Sequence, residues 1–280
     1  MRTPRKGRGA RFFLTMIYRE DYTVRWHDTD ANRQVSPGGI LMFMQETANR
    51  QFEAAGQSLD VIHERDGLAF MLSRMALDLL SPVHAYEKIT VETFTCESHG
   101  VLFRRGFRVL RGGEVVARGA SHWALVRLAD RSLVPLGESP CAGFENEPEE
   151  KTQTPLRFRV GAELPFETVG ERRVNYADID FNFHMNNTKY PYMLCDFLPD
   201  PLHTAVSGMS LFYCREAAFG DTVTVERADG GDGVYYFRTK KGDTTCLEAM
   251  VRTSAPPAAA CGGGFQSQLG THAESSACVV

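Results

Sequence analysis

VRWHDTDANRQVS (24–36) aligns with VNYADIDFNFHMN (174–186) at a constant offset of 150, pairing Val24 with Val174, Asp28 with Asp178, Asp30 with Asp180 and Asn32 with Asn182. A second match, YEKITVE (86–92) with GDTVTVE (220–226), follows in the same order at an offset of 134. Two ordered matches mark a duplicated unit, because a chance D-x-D-x-N pair carries no second match behind it.

Each copy has the same layout. After the first D-x-D-x-N run, PGGILMFMQETANRQFEAAG (37–56) places Ile40, Phe43, Met44, Thr47, Ala48 and Gln51 at helical spacing and closes at Gly56, as a C′ glycine would. Strand-like stretches follow at 69–80, 88–95, 102–110 and 114–128, separated by glycine-containing turns such as Arg111-Gly112-Gly113. The second copy reads as a helix at 186–198 and strands at 208–216, 222–227, 234–239 and 245–253, with Lys240-Lys241-Gly242-Asp243 turning the last pair into a hairpin. A helix followed by an antiparallel sheet, twice over, is an α+β architecture.

The 280 residues carry 31 basic and 35 acidic side chains and have no apolar run of membrane-spanning length. A soluble chain with no membrane span is expected. Residues 1–15 hold five basic side chains and no acid, so the body is acidic. That balance argues against nucleic acid as a partner, which needs a clustered positive footprint. Residues 1–16 are expected to be a disordered basic arm or an over-extended start before Met16, and the small, glycine-rich stretch 255–280 a disordered tail. Seven cysteines (96, 141, 195, 214, 246, 261, 278) are scattered without zinc spacing. No metal site is expected, and a reducing cytoplasmic location is.

The copies part company where chemistry could reside. Gln34 of the first is matched by His184 of the second, and Pro82 by Glu216. An imidazole exchanges protons near neutral pH and a carboxylate can act as a base, whereas an amide and a proline do neither. In D-F-N-F-H an extended backbone would put Asp180, Asn182 and His184 on one face, with Phe181 and Phe183 turned into apolar surroundings. Asn186 and Asn187 would then cap the helix, leaving free N–H groups beside the cluster. A capped strand-to-helix turn with one hydrogen-bonded histidine explains the same residues without catalysis. There is no G-x-S-x-G elbow and no phosphate-binding glycine loop.

ADIDFNFHMNNTKY (177–190) resembles the W-x-D-L-D-x-N-x-H-V-N-N-x-K-Y stretch of the acyl-acyl carrier protein thioesterases, and YCREA (213–217) their Y-R-R-E-C. GLAFMLSRMALDLLSPVHAYEKITVETF (67–94) and ASHWALVRLADRSLVPL (120–136) resemble that family's first half, so the likeness covers about residues 18–253. It implies a tandem double hotdog, each unit a long helix wrapped by an antiparallel sheet. The units would be an N-terminal hotdog at 17–140 supplying the acyl pocket, a linker at 141–164 and a catalytic C-terminal hotdog at 165–254. The implied reaction is hydrolysis of a fatty acyl chain from acyl carrier protein, with no cofactor. Asp180, Asn182, His184 and Glu216 match the catalytic network, with Glu216 as the expected base. Asn187, Met42, Phe43, Phe70 and Leu72 are the expected substrate contacts. The family often has cysteine after the catalytic glutamate, and this chain has Ala217 there, which disfavours a thiol nucleophile.

Acyl carrier protein is acidic, so an acidic body would need a local positive patch to hold it. Arg104, Arg105 and Arg108, Lys189, and Lys240 with Lys241 are the candidates. Two other readings stand beside hydrolysis from the carrier protein. One is a hotdog enzyme acting on acyl-CoA as a thioesterase or hydroxyacyl dehydratase, and the other is a non-catalytic acyl-binding module. Pairing of the two-domain unit into a homodimer is left open.

Overall fold

The computed structural model describes residues 17–139 and 144–254, so the arm expected at 1–16 and the tail expected at 255–280 lie outside the described residues. The first half runs β1 (Tyr18–Thr23), α1 (Pro37–Ala54), α2 (Leu59–Asp66), β2 (Leu68–Leu79), β3 (Lys88–His99), β4 (Leu102–Arg111) and β5 (Glu114–Arg127). A two-residue strand β6 (Asn146–Glu147) opens the connection. The second half runs β7 (Glu167–Arg173), α3 (Lys189–Asp196), β8 (Ala205–Tyr213), β9 (Thr222–Asp229), β10 (Val234–Lys241) and β11 (Thr244–Ser254). The strands form one sheet in the order β1-β3-β4-β5-β2-β8-β11-β10-β9-β7, with β6 added parallel to β3.

That order reads the same from either end once the second copy is mapped on the first, so the duplication is a pseudo-two-fold of the sheet. Its axis passes between β2 and β8. The offset of 134 maps Ala76 onto Ser210, and these two residues face each other across the seam, with Arg74 opposite Phe212 and Asp78 opposite Gly208 on either side. Leu77 and Met209, paired and fully buried there, belong to a hydrophobic core that draws on both halves. Burying such side chains stabilises by roughly 1.5–3 kcal/mol each, so the two units share a core.

The two helices lie against the sheet but differ in length. α1 has 18 residues, starting with Ser36 as N-cap, whose hydroxyl accepts from the Gly39 N–H at 3.2 Å, and with Pro37 in the first turn. It ends before Gly56, which takes the left-handed conformation at φ +68°. α3 has only 8 residues, so the expectation of a long helix in each unit holds for the first alone. Pro191 is the reason: its ring excludes the carbonyl four residues back, so Asn187 cannot be helical and the helix starts at Lys189. Pro199 then disfavours helical backbone at Leu198. α2 was not legible in the sequence, because two turns with one buried residue, Ile62, show no period.

The connection is a strap bound to the sheet. The buried carboxylate of Glu150 accepts from Arg108 at 2.7 Å, and Asp78 accepts from the backbone N–H groups of Gln153 and Thr154 at 2.6 and 2.8 Å. Among the described residues no helix is long and apolar enough to cross a membrane.

Candidate active site

The D-x-D-x-N segment is a compact turn and not the strand expected from its alternation. Asn175 opens a short 3-10 turn closed by Asp178, whose carboxylate accepts from the Asn175 N–H at 2.9 Å and from Arg172 at 2.7 Å. The chain then folds back: the Asp180 N–H donates to the His184 carbonyl at 3.2 Å and the Phe183 N–H to the Asp180 carbonyl at 3.0 Å. Phe183 closes it at φ +63°. Phe181 and Phe183 are therefore 60% and 73% exposed, because the turn cancels the two-residue period that would have buried them.

Both oxygens of Asp180 are used within this turn. Oδ1 accepts from the Asn182 N–H at 2.9 Å and Oδ2 from the Asn186 side-chain amide at 3.0 Å. Asn186 in turn accepts from the N–H and hydroxyl of Thr188 at 2.9 and 2.7 Å. The helix cap is thus Thr188, while Asn186 braces the turn. The carbonyl of Asn187, freed by Pro191, accepts from the Tyr213 hydroxyl at 3.0 Å. Burial holds that phenol far above its ordinary pKa, so it stays a donor and ties the start of α3 to the end of β8.

His184 and Glu216 come together as their difference between the copies suggests. The His184 Nε2 lies 3.8 Å from Glu216 Oε1, and both side chains are partly open to solvent. Glu216 follows the end of β8 and is not on the strand that the sequence suggested; the backbone there leaves the ladder as Cys214 and Arg215 both donate to the Cys246 carbonyl. Arg131, on the turn after β5 of the other half, reaches Glu216 Oε2 at 3.9 Å. No sequence spacing linked Arg131 to this carboxylate, since the contact joins residues from different halves.

Beside this pair opens a cavity of about 300 Å³, at the lower end of the range for ligand sites. The first half supplies its walls: Gln45, Ala48, Asn49 and Phe52 from α1, Ile62 and His63 from α2, Phe70 from β2, and Phe103 and Arg105 from β4. The second half supplies Asp180, Phe181, Asn182, Asn186 and Asn187 at one side. Phe181 meets His63 edge-on with ring centroids 5.7 Å apart.

Of the expected substrate contacts, Phe70 and Asn187 line the cavity and Met42, Phe43 and Leu72 do not. Met42 is on the exposed side of α1, Phe43 packs on Tyr22 with ring centroids 5.0 Å apart, and Leu72 is in the shared core. The hydrophobicity that suggested them is equally that of core. His184 and Glu216 lie outside the lining, next to its Asp180–Asn187 wall.

Cys214, two residues before Glu216, and Cys195 of α3 are poor nucleophiles. Burial pushes the Cys195 thiol up to about 12 and that of Cys214 up to about 11, so neither holds a thiolate at neutral pH. The residue after Glu216 is Ala217, fully buried. Several of the expected basic side chains are already paired. Arg105 is 7% exposed and donates to Gln51 and Thr93, Arg108 pairs with Glu150 and Glu92, Lys240 with Glu226 and Lys241 with Asp221. Among the described residues no group of three or more His, Cys, Asp or Glu could hold a metal ion.

Comparison with known proteins places this arrangement. The family models for the acyl-ACP thioesterase N-terminal and C-terminal domains match residues 15–144 and 165–251. The chain belongs to the acyl-ACP thioesterase family. An acyl-ACP thioesterase of Bacteroides thetaiotaomicron, known from its crystal structure, superposes with a TM-score of 0.76 at 22% identity over 85% of this chain and 98% of that one. The 12:0-ACP thioesterase of Umbellularia californica superposes with a TM-score of 0.73 at 18% identity, covering 86% and 98%. These likenesses establish the hotdog fold. Among plant family members, chloroplastic oleoyl-acyl carrier protein thioesterase 1 of Arabidopsis thaliana is 22% identical over 230 residues, 74% of this chain and 62% of that protein. The chain spans between half and two thirds of the length of the curated relatives it matches.

Proposed function

We propose that this acyl-ACP thioesterase family member hydrolyses the thioester between a fatty acyl chain and the phosphopantetheine arm of acyl carrier protein. The observation that carries the reading is the His184–Glu216 pair, 3.8 Å apart and present only in the second copy, beside a cavity with apolar walls. In this reading the acyl chain enters the cavity and its thioester carbonyl stops at the Asp180–Asn187 wall. Glu216 removes a proton from water as the oxygen attacks the carbonyl carbon. The Asn182 amide donates to the developing oxyanion. As the tetrahedral adduct collapses, the carbon–sulfur bond breaks and the pantetheine sulfur takes a proton through His184, leaving free acid and thiol. The 3.8 Å separation exceeds a hydrogen bond, which suits a pair bridged by the attacking water. Asp180, with both oxygens committed to its own turn, positions Asn182 and does not touch the reacting atoms. Arg131, 3.9 Å from Glu216 Oε2, helps to hold that carboxylate in place. A cytoplasmic location goes with this reading, supported by the free thiols of Cys96, Cys195, Cys214 and Cys246.

The test is release of free fatty acid from matched acyl-ACP and acyl-CoA panels by wild type, Glu216→Gln and His184→Ala. Release from the carrier protein that both substitutions abolish supports the proposal. A preference for CoA moves the activity to the other carrier. Conversion of a β-hydroxyacyl substrate to the enoyl product instead of free acid makes the protein a dehydratase. Acyl binding without turnover of either carrier makes it a binding module.

A further inference from the structure

The pseudo-two-fold that relates the halves also relates two cavities. The second, of about 450 Å³, lies where the first copy's D-x-D-x-N turn meets α3 and β8. Its lining matches that of the first on the turn, along the helix and at the start of the strand, and adds the end of β2 and the loop to Val83 where the first has α2, β3 and β4. Asp30 stands for Asp180 and Asn32 for Asn182 on the turn, Cys195 for Gln45 and Leu198 for Ala48 in and just after the helix, and Leu202 for Leu68 before the strand. The backbone frame is conserved in detail. Asp30 Oδ1 accepts from the Asn32 N–H at 2.8 Å, Arg33 takes φ +60° where Phe183 takes +63°, and Gln34 bridges His84 where His184 bridges Ala218. The lining also includes Gln34 and Pro82, the residues that replace the imidazole and the carboxylate.

We propose that this second cavity binds the chain of an acyl thioester without hydrolysing it. The inference rests on reading the first cavity as the acyl site. Size and polarity favour an acyl chain, since the space is larger than the first and is walled by residues such as Ile40, Leu79, Val206 and Leu198. The head group must be neutral. The charged side chains of the lining are two carboxylates, Asp30 and Asp196, with no cation among them, whereas Arg104 and Arg105 line the first cavity. Asp196 is answered by Arg172 at 3.7 Å, while Asp30 Oδ1 accepts from the backbone N–H groups of Asn32 and Gln34, so a fatty acid carboxylate placed beside Asp30 would add a like charge. A thioester has no such charge, and without a base or imidazole at Pro82 and Gln34 it would stay intact.

Counting binding sites for S-alkyl pantetheine thioethers, octyl through hexadecyl, by titration calorimetry tests this. These ligands are neutral and cannot be hydrolysed. Wild type is expected to take two equivalents per chain. Ala205→Trp, which fills the second cavity, is expected to lose one equivalent and keep hydrolysis, and Ala69→Trp in the first to lose the other equivalent together with hydrolysis. Leu202→Lys, at a rim position 57% exposed, is expected to give the Ala205→Trp result with less demand on folding. Dodecanoate at neutral pH is expected to fill at most the first site; two equivalents of it would overturn the selection for a neutral head. A single thioether site that survives Ala205→Trp and Leu202→Lys overturns the inference and leaves the hydrolase reading intact. Absence of both binding and hydrolysis overturns both.

Discussion

The turns around Asp30 and Asp180 are built alike, yet one leads to a proline and an amide and the other to a carboxylate and an imidazole. In each, a backbone N–H of the leading valine is held by the loop before an inner strand: Val24 donates to the Glu87 carbonyl at 2.9 Å and Val174 to the Asp221 carbonyl at 2.8 Å. Val35 and Met185 make the next such bond, to Val83 and Ala217, both at 2.8 Å. The frame that positions the site is therefore common property of the duplication. The proposed catalytic side chains are set on that frame in the second copy only, while the cavity beside them draws its walls from the helices and inner strands of the first. The longer helix, α1, contributes Gln45, Ala48, Asn49 and Phe52 to the first cavity's wall.

The sharpest break in the comparison is chemical. Glu216→Gln should lower fatty acid release by roughly 10²–10⁴-fold, the scale of a lost general base, and Pro82→Ala at the matched position should leave it unchanged; steady-state rates on one acyl-ACP decide it. Equal losses at the two positions would remove the asymmetry.

The next largest effect distinguishes the halves by pH. His122 of β5, opposite Arg74 and Arg104, is matched by Arg252 of β11, opposite Gly208. Burial, with Arg104, Arg157 and Arg74 adding to it, lowers the imidazole from 6.5 to about 4. The unfolded chain gains this proton below pH 6.5 and the folded chain only near pH 4, so folding stability falls as pH drops through that window and the loss is complete below it. The cost is on the order of 3 kcal/mol. Denaturant titrations at pH 7 and pH 4 should show it, and His122→Gln should remove that part of the slope.

A smaller effect lies at the seam. Gly208, the match of Arg74, has no room for a β-carbon because the Thr154 hydroxyl of the strap and the Leu77 carbonyl occupy the space. Gly208→Ala should destabilise by about 1–3 kcal/mol through overpacking, seen as a lower urea midpoint at unchanged slope. The smallest concerns the turn before β3 and β9, where Tyr86 at φ +69° does what Gly220 does at φ +86°. Gly220→Ala meets nothing within 4 Å, so its cost should be backbone strain alone, about 1 kcal/mol. Tyr86→Gly should regain a similar amount, less what its stack on Trp26 contributes.

The repeat, the α+β class, α1 with its closing glycine, the inner strands and the His184–Glu216 asymmetry were all legible in the residues. Each rests on local chemistry or on the comparison of two segments of one chain. The resemblance added the fold's name and the reaction. What failed did so for identifiable reasons. The alternation over Asp180–His184 suggested a strand because a turn closed by side-chain and backbone hydrogen bonds leaves no periodic trace. Edge strand β7 carries mostly polar residues on both faces, so it has no hydrophobic pattern to read. Met42, Phe43 and Leu72 have the composition of an acyl pocket, and only packing decides which apolar residues face a cavity.

The sequence by itself determined that this protein is one unit written twice, with acid-base chemistry available in the second copy alone, because both facts are identities of residues at matched positions. Tertiary structure decided that the strands join into one sheet across Ala76 and Ser210, that Arg131 meets Glu216, and that the second half's turn closes a cavity walled largely by the first, while the first half's turn borders a cavity lined from both. Those contacts join residues distant in the chain, and they arise from burying two apolar faces in one shared core, a global balance of packing that no local pattern records.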